Sequence, residues 1–536
     1  MKGEWWRQAV FYELYVPSFF DGNGDGVGDF KGALEKLDYL KELGIDGIWL
    51  TPFYPSPKVD NGYDISDYYG VDEEYGTMDD FQLFIKEAHD RGIKVVADLV
   101  LNHTSSEHPW FQESRSSKDH PKRDWYIWKD HPNNWESFFG VSAWELDEAT
   151  NQYYYHAFAK EQVDLNWHNP EVREEMIHVM KFWLDQGLDG FRLDVINFLK
   201  VHPDMKDNPY DEETGEQIHL HDKDQEGILD VIRDLSAIVH QYPDKFMVGE
   251  VGSDELDVLT TYSGKDKLDV VFNFNLGSLE SFNLPDMYKQ LSDMEKGHSE
   301  EQIPTLFFGS HDMKRSLSRF GCGDRKKDLD RAKLIATLML TAKGVPFIYY
   351  GEEIGMEDVT IHDIKEMKDV QGKTAYESAI REGKTEQEAL RVANDKGRDA
   401  SRSPMQWNAE RYHGFSEKKP WIFPAANDTN VSSQESDPDS ILSYYRTLIA
   451  IRKEWSSLHS GEYEEMGMSG QVLTYVKSHD SDRVLVLLNF SEKCLEVNLQ
   501  NMISKESHLA LSSKRSQLKF GNTIELLPYE AMIITL

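Results

Sequence analysis

"MDDFQLFIKEAHDRGIKVVADLVLNH", residues 78–103, decides the fold. Its first part reads as a helix that stops at Gly92, and the rest, "IKVVADLVLNH", reads as an apolar strand. The same unit occurs just before it. "FKGALEKLDYLKELG" (30–44) sets Leu34, Leu37 and Leu40 on one helical face and stops at Gly44, and the strand "IDGIWLTP" (45–52) follows. A first strand, "AVFYELYV" (9–16), precedes both. Repeated strand–helix units imply parallel strands joined by right-handed crossovers.

The rhythm breaks after His103. Residues 104–168 are rich in Trp, Tyr, His, Asp and Asn and have no long helical period, as expected of a subdomain inserted on a loop. The pattern then resumes with the helix "REEMIHVMKFWLDQG" and the strand "LDGFRLDVI". "KFMVGEVG", "LDVVFNFN", "PTLFFGSHD" and "GVPFIYYGEE" bring the strand count to eight. Eight strands fit a closed (β/α)8 TIM barrel better than an open sheet. Residues 356 to about 420 read as a polar, irregular excursion, followed by the helical "ILSYYRTLIAIRKEW". From about residue 465 the period changes to short β runs, "VLTYVKSH", "RVLVLLNFS", "CLEVNL" and "TIELLPYEAMIITL". The expected fold is therefore α/β. A barrel spans 1–103 and 169–464, an inserted subdomain B spans 104–168, and an antiparallel β-sandwich spans 465–536.

Composition narrows the partners. Lys+Arg is 58 against 95 Asp+Glu, a formal charge of −37, which argues against nucleic acid and against anionic membrane surfaces. The two cysteines, Cys322 and Cys494, are too few and too far apart for a disulfide framework. "MKGEWWRQAVFYELYV" lacks the basic-then-apolar pattern of a signal peptide, and no apolar run reaches about 20 residues. A cytoplasmic enzyme is expected.

Barrel enzymes place reactive groups at the carboxyl ends of their strands. Those positions carry Asp98 and Asn102-His103 after the third strand, and Arg192 and Asp194 at the fourth. Glu250 follows the fifth and His311-Asp312 the seventh, and the loop after the second holds Tyr63-Asp64. Taken alone, an acid at a strand end is as well explained as a helix cap; three acids, two histidines and one arginine aligned on one rim point to a pocket. Two carboxylates can run glycoside hydrolysis, one attacking the anomeric carbon and the other protonating the leaving oxygen. Arg192 lies two residues from Asp194, so the two side chains share a strand face and the arginine favours the ionised acid.

"DGNGDGVGD", residues 21–29, raises a separate question. Asp21, Asn23, Asp25 and Asp29 with the Val27 carbonyl alternate oxygen donors as a hard cation requires. The twelfth position counted from Asp21 is Gly32 rather than Glu, so the loop is no EF-hand. Spacing alone leaves a metal loop and an acidic turn equally open.

The sequence resembles the α-amylase family of glycoside hydrolases, in its oligo-1,6-glucosidase and α-glucosidase branch. "DLVLNHTS", "GFRLDVINF", "VGEV" and "GSHD" stand where that family has its four conserved segments. "EQVDLNW" and "GRDASRSPMQW" resemble further segments of the branch, and the match runs from "WWRQAVFYELYVPSF" to the terminal β-domain. The resemblance implies Asp194 as nucleophile, Glu250 as general acid/base and Asp312 as a third acid gripping ring hydroxyls. It implies His103, His311, Gln162 and Arg192 as sugar-pocket residues and Tyr63 as an aromatic platform. Asp64 with Arg402 is implied as the clamp that closes the pocket and makes the enzyme exo-acting. Asp21, Asn23, Asp25, Val27 and Asp29 would hold a structural Ca²⁺. Val195, next to the nucleophile, is the residue type that goes with α-1,6 linkages in this branch, although it is also simply a good strand residue. Two departures stand out: "LKVHPDMKDNP" follows "DVINF", so Lys200 does not match the leaving-site lysine, and Ser310 precedes His311 where Asn is common. The implied substrate is a short α-glucoside. The alternatives on the same scaffold are an α-1,4-specific glucosidase, a sucrose-acting or glucosyl-transferring enzyme, a trehalose-6-phosphate hydrolase, and a non-catalytic amylase-like protein.

Overall fold

Each apolar run becomes a short parallel strand in the computed structural model of the chain, which describes residues 4–500, 502–504 and 506–536. The first three residues of the amino-terminal segment therefore lie outside it. The strands are β1 (Phe11–Leu14), β2 (Gly47–Leu50), β3 (Lys94–Leu99), β4 (Gly190–Leu193), β5 (Phe246–Gly249), β6 (Val270–Val271), β7 (Thr305–Leu306) and β8 (Val345–Tyr349). Their order is β6-β5-β4-β3-β2-β1-β8-β7, each pair parallel. The Thr305 hydroxyl joins the two ends. It donates to the Val271 carbonyl at 3.1 Å and accepts from the Asn273 amide at 3.0 Å.

Alternation along each strand fills the barrel and builds its rim. The lumen is packed with Phe11, Trp49, Val96, Phe246, Val248, Phe272 and Phe347. Phe11 stacks on Phe347 at 4.7 Å and on Phe246 at 4.9 Å. Two residues further along, the same inward face carries Glu13 after Phe11, Asp98 after Val96 and Glu250 after Val248. The reactive carboxylates are thus the top rung of the core ladder. Gly190 is fixed by space, because a Cβ there would stand 1.8 Å from the Phe246 carbonyl oxygen.

The outer helices follow the expected periods with local differences. The stretch 30–44 is two helices, Phe30–Glu35 and Leu37–Leu43, split at Lys36, where ψ is 5°. Gly44 and Gly92 end their helices with φ of 97° and 75°. The excursion after residue 356 is not irregular. It contains a packed helical hairpin, Val370–Arg381 and Glu386–Lys396. Few of its side chains are buried, so the apolar period is faint; the Thr385–Glu388 capping box is its clearer signal.

Strands between Glu462 and Thr535 form a five-stranded and a two-stranded antiparallel sheet around one apolar cluster. Glu462–Ser469 and His508–Ser512 are strands that the apolar runs did not reveal. The buried Lys477 Nζ ties this unit to the barrel by donating to the Thr341, Ala342 and Leu458 carbonyls at 2.9–3.3 Å. Two of these are at the carbonyl end of the helix Arg325–Thr341, where a cation is favoured. Among the described residues no helix is long and apolar enough to cross a membrane.

Candidate active site

Arg192 organises the floor. It is buried on β4 and its guanidinium reaches three carboxylates. Nη1 bonds Asp98 Oδ1 at 2.9 Å and Asp194 Oδ1 at 2.5 Å, and Nη2 bonds Glu250 Oε2 at 2.6 Å. Burial raises all three acids and Arg192 pulls each back. Asp98 and Asp194 are pushed up to about 6. Glu250 goes to about 7, because the charges of Asp194 and Asp312 add to its burial. Burial also acts on Asp312, but His311, Arg398 and Arg402 overcome it and hold this acid well below the usual range. One rim therefore carries a carboxyl group set to keep its proton near neutral pH beside others set to lose theirs.

The cavity above this floor is about 190 Å³ and is bounded by Tyr63, His103, Gln162, Asp194, Val195, Glu250 and Asp312, all expected from sequence. It is smaller than the 300 Å³ or more typical of pockets for drug-sized ligands, and suits a single ring. The Tyr63 hydroxyl donates to Asp98 Oδ2 at 2.8 Å, and its ring stacks on His311 at 5.3 Å. His103 is buried and pushed down to about 4, so it is neutral. His311 lies one layer below the wall, fully buried, with its Nε2 3.0 Å from Asp312 Oδ2.

The expected clamp is displaced by four residues at both ends. Asp64 is fully buried and turns into its own loop, accepting from the Val59 and Asp60 amides and the Ser56 hydroxyl at 2.8–3.0 Å. Arg402 is also fully buried, beneath the wall, donating to the His311 carbonyl at 2.7 Å and to Asp312 Oδ1 at 3.1 Å. The pair facing the cavity is Asp60 and Arg398, 2.5 Å apart. The reason is the turn in "DNGYD". Asn61 and Gly62 take left-handed φ of 49° and 108°, which aims Asp60 at the cavity and leaves Asp64 to cap the loop amides. Arg398 is fixed by the buried Asp369, and Gln162 Nε2 holds the far oxygen of Asp60 at 3.0 Å.

Phe139, Phe158 and Gln371 complete the wall and were not anticipated. The two phenylalanines come from residues 104–168, whose lack of helical period hides them. Gln371 sits in the first turn of the helix Val370–Arg381. Lys200 does not reach the wall; its Nζ packs against Gly227. Ser310 keeps a hydrogen bond in the place discussed above, accepting from the Asp312 amide at 3.2 Å. Val195 is strained, with φ of 38° and ψ of 48°, unusual for a β-branched residue. That twist points its amide at Glu250 Oε2, 3.3 Å away.

The loop Asp21–Asp29 curls as expected around Gly24 and Gly26, with φ of 77° and 107°. Asp21 accepts from the amides of Gly24, Asp25 and Gly26 at 2.6–3.2 Å and from the Ser416 hydroxyl at 2.5 Å. Asp29 accepts from the amides of Asn23 and Gly32 at 2.9 and 2.7 Å. The donor set, all oxygen, fits a hard cation. Its two buried carboxylates are engaged by amide donors, and among the described residues no three His, Cys, Asp or Glu groups converge to hold a metal. None of the five positions touches the floor described above.

Two carboxylates with separated protonation, beneath room for one ring, are the equipment of glycoside hydrolysis. Comparison with known proteins makes this specific. Residues 13–461 match the family described as "Alpha amylase, catalytic domain", and residues 472–533 match "Alpha-amylase SusG C-terminal domain". The chain belongs to the α-amylase family. It is 39% identical to the oligo-1,6-glucosidase of Parageobacillus thermoglucosidasius, with 99% of each chain covered. The crystal structure of Bacillus licheniformis trehalose-6-phosphate hydrolase superposes with a TM-score of 0.89 at 38% identity, covering 99% of each chain. The trehalulose synthase MutB of Pseudomonas mesoacidophila superposes with a TM-score of 0.91 at 34% identity, covering all of both chains.

Proposed function

We propose that this protein is a retaining, exo-acting α-glucosidase that releases glucose from the non-reducing end of short α-glucosides, including α-1,6-linked isomalto-oligosaccharides. The observation that carries the reading is the Arg192 guanidinium, which binds Asp194 and Glu250 together under a one-ring cavity. Asp194, kept ionised by Arg192, attacks the anomeric carbon. Glu250 gives its proton to the leaving oxygen and then takes one from water as the glucosyl ester is hydrolysed. Asp312, ionised, grips ring hydroxyls. Asp60 with Arg398 holds the terminal hydroxyls, the role the resemblance had placed on Asp64 and Arg402. The preference for α-1,6 bonds is supported by Val195 in the cavity wall and by the oligo-1,6-glucosidases among the relatives.

A phosphorylated disaccharide is disfavoured by the charges at hand. Arg398 is the sole cation among the described wall residues, and it is committed to Asp60 and Asp369. Isomerisation or glucosyl transfer would share the same intermediate and differ only in the acceptor. Two unpaired, exposed cysteines, Cys322 and Cys494, support a reducing, cytoplasmic setting.

The deciding experiment is kcat/KM for isomaltose and maltose on one preparation. The expected ratio favours isomaltose, and Val195→Thr narrows it by roughly 10-fold, since a change of one small group beside a pocket is worth about 1–3 kcal/mol. A ratio favouring maltose would remove Val195 as the linkage determinant.

The rate also depends on pH in a definite direction. Asp194 must lose its proton and Glu250 must keep one, so kcat/KM rises through about pH 6 and falls above about pH 7. The two limbs belong to the coupled pair. A plateau extending past pH 9 would contradict Glu250 as the acid.

The loop Asp21–Asp29 is assigned to structural Ca²⁺ on the strength of its all-oxygen donors. Asp21, Asn23, Asp25, the Val27 carbonyl and Asp29 would hold the ion, which would stiffen the loop after β1. EDTA is expected to lower Tm while leaving kcat at 25 °C nearly unchanged. An unchanged Tm, with no calcium found by elemental analysis, would end that assignment.

A further inference from the structure

His311 sits in an arrangement that the glucosidase reading leaves unexplained. Its ring is fully buried, and both nitrogens face carboxylate oxygens. Nδ1 is 2.6 Å from Glu13 Oε1 and Nε2 is 3.0 Å from Asp312 Oδ2. An ionised carboxylate only accepts hydrogen bonds, so the Glu13 contact requires N–H at Nδ1. Nε2 also lies 2.5 Å from the Tyr63 hydroxyl, whose own proton goes to Asp98, so that contact requires N–H at Nε2, with Asp312 Oδ2 beside it. The same Glu13 oxygen also accepts the His311 backbone amide at 3.1 Å, so ring and backbone are fixed from one point. Glu13 is 1% exposed, on the inward face of β1 above Phe11, and its Oε1 contacts are both to His311.

We propose that Glu13 is a positioning residue that keeps His311 doubly protonated, and that the resulting imidazolium orients and holds the Asp312 carboxylate for the sugar. This rests on the glucosidase reading for the role of Asp312, but not for the charge on His311. The groups facing the imidazole are Glu13 from β1, Tyr63 from the loop after β2, and Asp312 from its own loop. Arg402 lies against the His311 carbonyl, Asp98 is linked through the Tyr63 hydroxyl, and Tyr15 stacks on the ring at 5.9 Å. Burial disfavours the charge; Asp312 and Glu13 outweigh it and bring His311 to about 9. Asp312 then directs its other oxygen to Arg402 and Arg398.

Because the folded value lies above the unfolded one of about 6.5, the stabilisation is fully present below pH 6.5 and is lost as pH rises through about 9. Glu13→Gln keeps the size and removes the charge. The Tm gap between parent and E13Q is expected to be largest at pH 6.5 and to close by pH 9.5. In the variant His311 loses its proton at lower pH than in the parent, closer to Glu250, so the alkaline limb of kcat/KM steepens toward two protons. Glu13→Asp, which restores a carboxylate, is expected to keep the one-proton limb. Tm curves that stay parallel from pH 6.5 to 9.5, or a profile that drops uniformly without changing shape, would reduce Glu13 to a packing role and overturn the proposal. Neutron diffraction of the unmodified protein at pH 7 decides the same point without a variant. Deuterium on both ring nitrogens supports it, and deuterium on one overturns it. A parent that cleaves no glucoside would defeat the glucosidase reading, while the Tm and neutron results would still decide the charge on His311.

Discussion

Asp194→Asn is expected to lower kcat on any cleaved glucoside by at least about 10⁴-fold, the scale on which removing a nucleophile acts. The fold should survive, because the buried Asp194 has its carboxyl raised to about 6 by burial and a neutral isostere relieves that cost. The measurement is kcat beside Tm. In the parent, a rapidly quenched slow substrate should leave a glucosyl ester on the peptide containing Asp194, and the variant should leave none. Residual activity within 10-fold of the parent, or an ester on another residue, would move the nucleophile elsewhere.

Arg192→Leu should be the most damaging change to stability. It strands Asp98, Asp194 and Glu250, which are all bound to one buried guanidinium. Removing one partner of a buried ion pair costs about 3–5 kcal/mol. At about 2 °C per kcal/mol for a large domain, Tm should fall by roughly 6–10 °C. The remaining catalytic activity should peak at higher pH, since Arg192 is what lowers Asp194. Arg192→Lys should recover only part of either loss, because one ammonium cannot reproduce the two-pronged contact. Scanning calorimetry with a pH–rate series tests both. A Tm within 2 °C of the parent would mean the carboxylates are not held in the way described.

The barrel was legible because all eight strands are short apolar runs bounded by helices or turns. The floor was legible for the same reason: inward alternation from Val96 leads to Asp98, and from Val248 to Glu250. Glu13 obeys that rule after Phe11, yet reads as an ordinary polar residue within an apolar strand until His311 is seen against it. The clamp was misread because each segment offers two similar residues four apart, Asp60 and Asp64, Arg398 and Arg402. The left-handed turn at Asn61 and Gly62, not the pattern, selects between the acids. Phe139 and Phe158 come from an insert with no period to read, and the hairpin carrying Gln371 buries too little to show one.

The Asp60–Arg398 pair has a consequence for traffic. With that end of the cavity shut, the leaving sugar must depart through the mouth before water can reach the intermediate. The glucose behind it can only leave last. On the proposed reading each cleavage should therefore end in complete release, so long substrates should shorten one unit per encounter, with every intermediate length accumulating in solution. On the proposed reading, glucose should also compete for the site it has just vacated, so the rate should fall as glucose builds up.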